Sequence, residues 1–244
     1  MKLILFADSK VGLEVLNYLL SDFKEDLHSV VTVEENQIYR QAKLSGLCVK
    51  VFDKDYNHNE FYNMNFELGV LAWWPHVIKD PLLSLPKSGF LNFHPSFLPY
   101  NRGKHYNFWA LVEQCPFGVT LHKVDAGIDT GKIVSQRAIS YSWEDNGESL
   151  YLKAQIEIVE LFKSTYPNLR KGSVITQTQD LSKGSFHLSS EIDAASRIEI
   201  DATYAARELL NLIRARTYTG YPSCWFEEVD GKKYEVRIQI KRKE

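Results

Sequence analysis

Short apolar runs separated by stretches of helical period constrain this chain more than any other feature. Residues 3–7 (Leu-Ile-Leu-Phe-Ala) are continuously apolar, residues 29–33 are apolar and β-branched, and residues 48–52 form a third run. Unbroken apolar runs of this length suit strands buried on both faces. Between the first two, Val11, Val15, Leu16, Leu19 and Leu20 recur at helical spacing, and Asp8-Ser-Lys can cap that helix. Residues 37–47 read as a second helix with Gly46 near its end. Such alternation predicts parallel strands joined by right-handed crossovers.

The pattern continues with strands at 67–73, 89–94, 118–124 and 133–139 and helices at 81–85 and 107–114. Asp145 and Glu148 have capping-box character ahead of a helical stripe, Leu150, Ala154, Ile158, Leu161 and Phe162. The pattern changes after Thr165-Tyr-Pro167, and residues 171–188 read as an irregular connection. Asp201 can cap a helix carrying Ala206, Leu209, Leu210 and Ile213 on one face. Residues 223–229 and 232–240 flank Asp230-Gly231, a strong hairpin signal. The expected fold is α/β: a Rossmann-like, doubly wound, mostly parallel sheet with a small C-terminal helix and β-hairpin appendage. The expected boundary separates residues 1–185 from 186–244. An isolated hairpin is marginal in water, so this one must pack on the main domain or on a second copy, and a homodimer is expected. The first turn, residues 7–12, lacks G-x-G-x-x-G, so no dinucleotide cofactor is predicted.

Composition narrows the class. The chain has 244 residues and a net charge of −2, which argues against a general nucleic-acid binder. Its three cysteines show neither C-x-x-C nor metal spacing and suit a reducing compartment. No apolar run reaches membrane-spanning length, and the first residues are too short for a signal peptide, so a cytoplasmic protein is expected.

The chemistry concentrates in two stretches. Asn92 and His94 stand two apart at the carboxyl end of the expected 89–94 strand, so both project to one face. A hydrogen-bond donor beside a proton acceptor suits addition to a carbonyl carbon. Taken alone, Asn-x-His is better explained by a structural histidine. Downstream, residues 125–131 (Asp-Ala-Gly-Ile-Asp-Thr-Gly) place two aspartates and two glycines in a loop able to turn sharply beside a ligand. Trp73-Trp74-Pro75-His76 at another strand end either cap the core or wall a flat ring. Arg102, Gly103, Lys104 and His105 form either a phosphate-holding loop or a solvated basic one. There is no G-x-S-x-G elbow, and Cys115 lies in no motif, which argues against a serine or cysteine hydrolase.

Asn92-Phe-His-Pro-Ser-Phe-Leu-Pro99, Arg102-Gly103 and Asp125-Ala-Gly-Ile-Asp-Thr-Gly-Lys-Ile133 together resemble the folate-dependent formyltransferases over about two-thirds of the chain. Residues 211–222 and 102–109 resemble the sugar N-formyltransferases in particular. The resemblance implies a catalytic trio of Asn92, His94 and Asp129. It places 10-formyltetrahydrofolate beside Trp74, Pro75, His76, Val77 and Ile78, with Asp125 and Gly127 on its other side. It gives Arg102, Gly103 and Lys104 to the diphosphate of a nucleotide-linked amino sugar and Tyr221 to its base, although Tyr221 packing on Pro222 and Trp225 is an equal alternative. No metal, membrane or nucleic-acid partner is implied. The acceptor expected by this analogy is dTDP-4-amino-4,6-dideoxyglucose, for surface polysaccharide synthesis. Glycinamide ribonucleotide, methionyl-tRNA and a non-catalytic folate-binding regulator are the alternatives.

Overall fold

The structure, a computed structural model, describes residues 1–52, 61 and 65–244. Seven strands form the main sheet: β1 (Leu3–Ala7), β2 (Leu27–Thr32), β3 (Cys48–Val51), β4 (Leu68–Ala72), β5 (Phe90–His94), β7 (Gly118–Lys123) and β8 (Ile133–Ala138). Their spatial order is β3-β2-β1-β4-β5-β7-β8. Every pairing from β3 to β5 is parallel, and β5 pairs antiparallel with β7. The chain winds outward from β1 through β2 to β3, then resumes at β4 on the other side of β1. This reversal is a topological switch point, and ligands of open α/β sheets bind outside the carboxyl ends of strands at such places.

The apolar runs have a direct cause in this order. All five residues of β1, and all five of β4, are buried. A core of Ile4, Phe6, Val31, Phe61, Phe66, Leu71, Ile78, Leu82 and Phe90 packs on one another. Gly69 has no room for a side chain, since a Cβ there would lie 2.2 Å from the Phe90 ring. Helix α1 (Ser9–Asp22) and helix α2 (Gln37–Leu44) form the expected crossovers. Asn36 caps α2, its side chain accepting from Tyr39 N at 3.2 Å.

The remaining elements are β6 (Arg102–Gly103), α3 (Tyr106–Val112), α4 (Gly147–Arg170), β9 (Phe186–His187), α5 (Ile192–Ala195), α6 (Ala206–Ala215), β10 (Cys224–Glu227) and β11 (Lys233–Val236). The C-terminal hairpin is present, with Cys224 opposite Val236 and Glu227 opposite Lys233. The chain forms two compact units. The first comprises Met1–His94, Thr120–Gln136 and Gln155–Thr178, and the second Pro95–Val119, Arg137–Ala154 and Gln179–Glu244.

Helix α4 runs through Pro167 to Arg170. Proline cannot donate to the carbonyl four residues back, and that carbonyl, of Lys163, accepts from Tyr18 Oη at 3.1 Å instead. The cap of α4 is Asn146 with Ser149, not Asp145 with Glu148: Ser149 N donates to Asn146 Oδ1 at 2.8 Å and Asn146 N to Ser149 Oγ at 3.0 Å. Asp201 does not cap α6, which begins at Ala206 after Ala205. Asp201 lies in a turn where Ala202 N donates to Glu199 O and Glu199 N donates to Tyr204 Oη, both at 2.9 Å.

Candidate active site

The first unit gathers four polar side chains where β5 and β7 run side by side. The register sets Asn92 opposite His122 and His94 opposite Thr120. Asn92 Nδ2 lies 3.0 Å from His122 Nε2 and 3.4 Å from Asp129 Oδ1. His94 Nδ1 lies 3.4 Å from Asp129 Oδ2, and His122 Nε2 lies 3.5 Å from Asp129 Oδ1. His94 and His122 are buried, and the two rings meet edge to face at 6.1 Å. The expected trio therefore converges, and His122 joins it.

The tautomer of His122 follows from its neighbours. Its Nδ1 is 2.8 Å from the Lys123 carbonyl oxygen, which can only accept. With the proton on Nδ1, Nε2 accepts from Asn92. That fixes which way the Asn92 amide faces, with its two N–H groups towards His122 and Asp129. At 3.4 Å the contact to Asp129 is the weaker and the easier to exchange for a ligand oxygen. Sequence reasoning missed His122. The readable signal was a histidine within a strand otherwise buried, where an unpaired polar ring is costly.

Asp129 reaches this cluster from a closed loop. Asp125 Oδ1 accepts from Gly127 N at 3.1 Å and from Thr130 Oγ1 at 2.6 Å, which folds residues 125–130 on themselves. Asp129 then takes a left-handed backbone, φ 54°, uncommon for a residue with a side chain. A Cβ on Gly127 would lie 2.2 Å from Thr130 Oγ1, and one on Gly131 1.8 Å from Lys123 O. Both glycines of the motif are thus demanded by close approach.

Beyond the carboxyl end of β4, Trp74 makes edge contacts with Phe6 at 5.4 Å, Phe52 at 5.3 Å and His76 at 5.5 Å. His76 stacks on Phe52 at 5.3 Å and 21°. Ile78 is buried in the core, whereas Pro75 and Val77 are exposed. Trp74 Nε1 is buried without a hydrogen-bond acceptor among the described residues. An orphaned donor among aromatic faces fits a flat heterocycle bearing acceptor atoms. Among the described residues, no group of three His, Cys, Asp or Glu side chains is arranged to hold a metal ion, and no helix is long and apolar enough to cross a membrane.

Arg102, Gly103, Lys104 and Tyr221 belong to the second unit. Tyr221 is exposed and packs on Tyr218 at 4.6 Å, which in turn meets Tyr151 at 5.6 Å. Burial and the neighbouring Tyr151, Tyr221 and Glu148 push the Tyr218 hydroxyl up to about 12, so it stays neutral. Burial, with Arg216 and Lys104 nearby, holds the His105 imidazole below its ordinary value.

Residues 27–164 match the formyl transferase family, and residues 191–242 match the N-formyltransferase dimerization C-terminal domain. A dTDP-4-amino-4,6-dideoxyglucose formyltransferase of Mycobacterium bovis is 29% identical over 151 residues, covering 62% of this chain and 64% of that protein. The chain thus spans under two thirds of that relative's length. A sugar N-formyltransferase from a Shewanella species has the same fold, with TM-score 0.84 and 19% identity over 100% of this chain and 99% of that one. So does an N-formyltransferase of Helicobacter canadensis in complex with folinic acid and dTDP-3-aminofucose, with TM-score 0.70 and 20% identity over 88% of this chain and 80% of that one. The paired motifs, the strand order and the match over residues 27–164 agree: this chain belongs to the formyl transferase family and resembles its nucleotide-linked sugar N-formyltransferases.

Proposed function

We propose that this protein transfers a formyl group from 10-formyltetrahydrofolate to the amine of a nucleotide-linked amino sugar. dTDP-4-amino-4,6-dideoxyglucose is the specific acceptor, and surface polysaccharide synthesis the purpose. The observation that carries the reading is the convergence of Asn92, His94 and Asp129 within 3.4 Å contacts in the first unit. The Mycobacterium bovis relative, named for dTDP-4-amino-4,6-dideoxyglucose, supports the acceptor.

In this reading, 10-formyltetrahydrofolate supplies an activated one-carbon acyl group on a nitrogen leaving group. Trp74, Pro75, His76, Val77 and Ile78 hold it on one side and the 125–127 segment on the other. Asn92 exchanges its longer contact, to Asp129, for the formyl oxygen and stabilises the charge that develops there. His94 would take the proton that the attacking amine must lose and return it to the folate nitrogen as the bond from that nitrogen to the formyl carbon breaks. Asp129, facing Nδ1 of His94, stabilises the imidazolium so formed and orients the ring. Arg102, Gly103 and Lys104 receive the diphosphate, two cations and a backbone N–H facing an anion. Tyr221 offers its exposed face to the base.

The same proposal assigns catalysis to residues 1–185 and self-association to residues 186–244. The hairpin packs on a core of only Ile198, Ile213 and Cys224 with partly buried neighbours, and Tyr234 and Val229 are exposed, so a second copy has apolar surface to cover. Cytoplasmic placement fits Cys48, Cys115 and Cys224, all free thiols.

A formyl-transfer assay over dTDP- and UDP-linked amino sugars, glycinamide ribonucleotide and methionyl-tRNA tests the reading. Transfer to a dTDP-linked 4-amino sugar, slowed about 10²–10³-fold in Asn92→Ala, is the expected result. Transfer only to one of the other acceptors would reject the sugar. Folate binding without transfer to any amine would leave a regulator rather than an enzyme.

A further inference from the structure

The loop that carries Arg102 and Lys104 has an unusual backbone. Asn101, Gly103 and His105 are all left-handed, at φ 52°, 90° and 58°. Two of the three bear side chains, and such a run persists only where its surroundings over-determine it. Several of the groups around it meet at a single carboxylate in the second unit. Glu113, at the C-terminal cap of α3, accepts from Asn101 Nδ2 at 2.9 Å and Ser185 Oγ at 2.8 Å on Oε2. Its Oε1 lies 2.7 Å from His187 Nε2.

Each of those partners grips the loop. Asn101 N donates to Ser185 Oγ at 3.2 Å, and Cys115 Sγ donates to Asn101 Oδ1 at 3.1 Å. Strand β6 pairs with β9, setting Arg102 beside Phe186 and Gly103 beside His187. Arg102 N donates to Ser185 O at 3.1 Å, and Lys104 N to His187 O at 3.0 Å. The approach is close enough that a Cβ on Gly103 would lie 2.2 Å from His187 O. The His187 ring stacks on Trp109 at 3.7 Å and 8°, and its Nδ1 faces Glu191 Oε2 at 3.1 Å. Both sides of the short β6–β9 pair therefore end on Glu113, whereas Arg102 Nε is buried without a hydrogen-bond acceptor among the described residues. The backbone is fixed, and the Arg102 guanidinium lies over the Phe186 ring, 5.9 Å from its centroid.

We propose that Glu113 is a positioning residue which, acting through Asn101, Ser185 and His187, holds residues 101–105 in the shape that receives a diphosphate. The inference rests on the reading of Arg102, Gly103 and Lys104 as diphosphate ligands. Preorganisation sets the size of the effect. A loop that keeps its binding shape only a tenth of the time binds about tenfold more weakly.

Two measurements on the full chain separate the inference from the reading beneath it. Amide hydrogen exchange at Arg102 and Lys104 reports the hold directly, and calorimetry with dTDP, without folate, reports its consequence. In Glu113→Ala, exchange at both amides rises about tenfold or more and dTDP binds at least about tenfold more weakly, while folate affinity and kcat stay as in the wild type. His187→Phe keeps a ring on Trp109 but removes both nitrogens, and gives an intermediate loss. Ser185→Ala, a milder change, serves should Glu113→Ala not fold, with a loss of about threefold. Unchanged exchange in Glu113→Ala, or in Ser185→Ala where that variant stands in, overturns the positioning role. So does a folate affinity or kcat that falls as far as dTDP affinity. Wild-type protein that fails to bind dTDP counts against the nucleotide-sugar reading, and the exchange data still decide the role of Glu113.

Discussion

The cluster around Asn92 and the loop around Arg102 are held by different means. Asn92, His94 and His122 stand on adjacent strands, and ladder register alone places them. A slip of one residue would turn all three to the opposite face. The 101–105 loop has only a two-residue strand pair, and a carboxylate hub maintains a backbone in which two residues with side chains, Asn101 and His105, are left-handed. The contrast teaches where precision and variety reside. Of the groups proposed to do the chemistry, Asn92 and His94 ride on a strand within the sheet and Asp129 on a loop closed by its own bonds. Groups proposed to recognise the acceptor ride on a loop whose shape depends on a few exchangeable side chains.

Substitutions can break that comparison. The largest expected effect is at Asp129. Asp129→Asn keeps the shape but removes the charge facing His94, and kcat should fall by about 10²–10⁴ with both KM values little changed in steady-state assays. Asn92→Ala should lower kcat by about 10²–10³ through loss of the oxyanion donor. His122→Phe should cost about tenfold in kcat, because Asn92 then loses the acceptor that sets its amide. By contrast, Gly103→Ala should raise KM for the sugar nucleotide and leave kcat near wild type. It should also destabilise the fold by about 1–3 kcal/mol in urea titrations, because alanine must adopt φ 90° against His187 O. A loop variant that lowered kcat while sparing KM would dissolve the distinction between the two regions.

The smallest effect concerns pH and bears on the frame of the first unit alone. Burial would raise the Asp26 carboxyl, but bonds from Arg170 Nε at 2.6 Å and Tyr166 Oη at 2.8 Å outweigh it and hold the group below the ordinary carboxylate range. A depressed native pKa gives stability that is full above the unfolded value, about 4, and is lost as pH falls through the native one. Urea midpoints should therefore decline on acidification, and decline less steeply in Asp26→Asn. Parallel slopes in the two proteins would remove Asp26 from the acid response.

Much was legible before any coordinates. Residues 3–7 read as a doubly buried strand because burial on both faces leaves no polar position to show. Asn92 and His94 were legible as a pair because strand period is local. Asp230-Gly231 announced its hairpin through turn chemistry that needs no tertiary partner. Asp125, Gly127 and Asp129 stood out as a motif, although only the Thr130 bond to Asp125 explains how the loop turns Asp129 inward. Local cues also misled: Asp145 with Glu148 reads as a capping box, yet the reciprocal bonds run between Asn146 and Ser149.

The sequence by itself therefore determined the class of fold, the strand that bears Asn92 and His94, and the motif that bears Asp129, because periodicity and turn chemistry act over a few residues. Tertiary structure alone decided that His122 lies opposite Asn92 and that Glu113 gathers Asn101, Ser185 and His187. Those meetings join positions as many as 74 residues apart. Only sheet register and loop closure bring such groups within hydrogen-bonding distance, and neither is written in any single stretch of the chain.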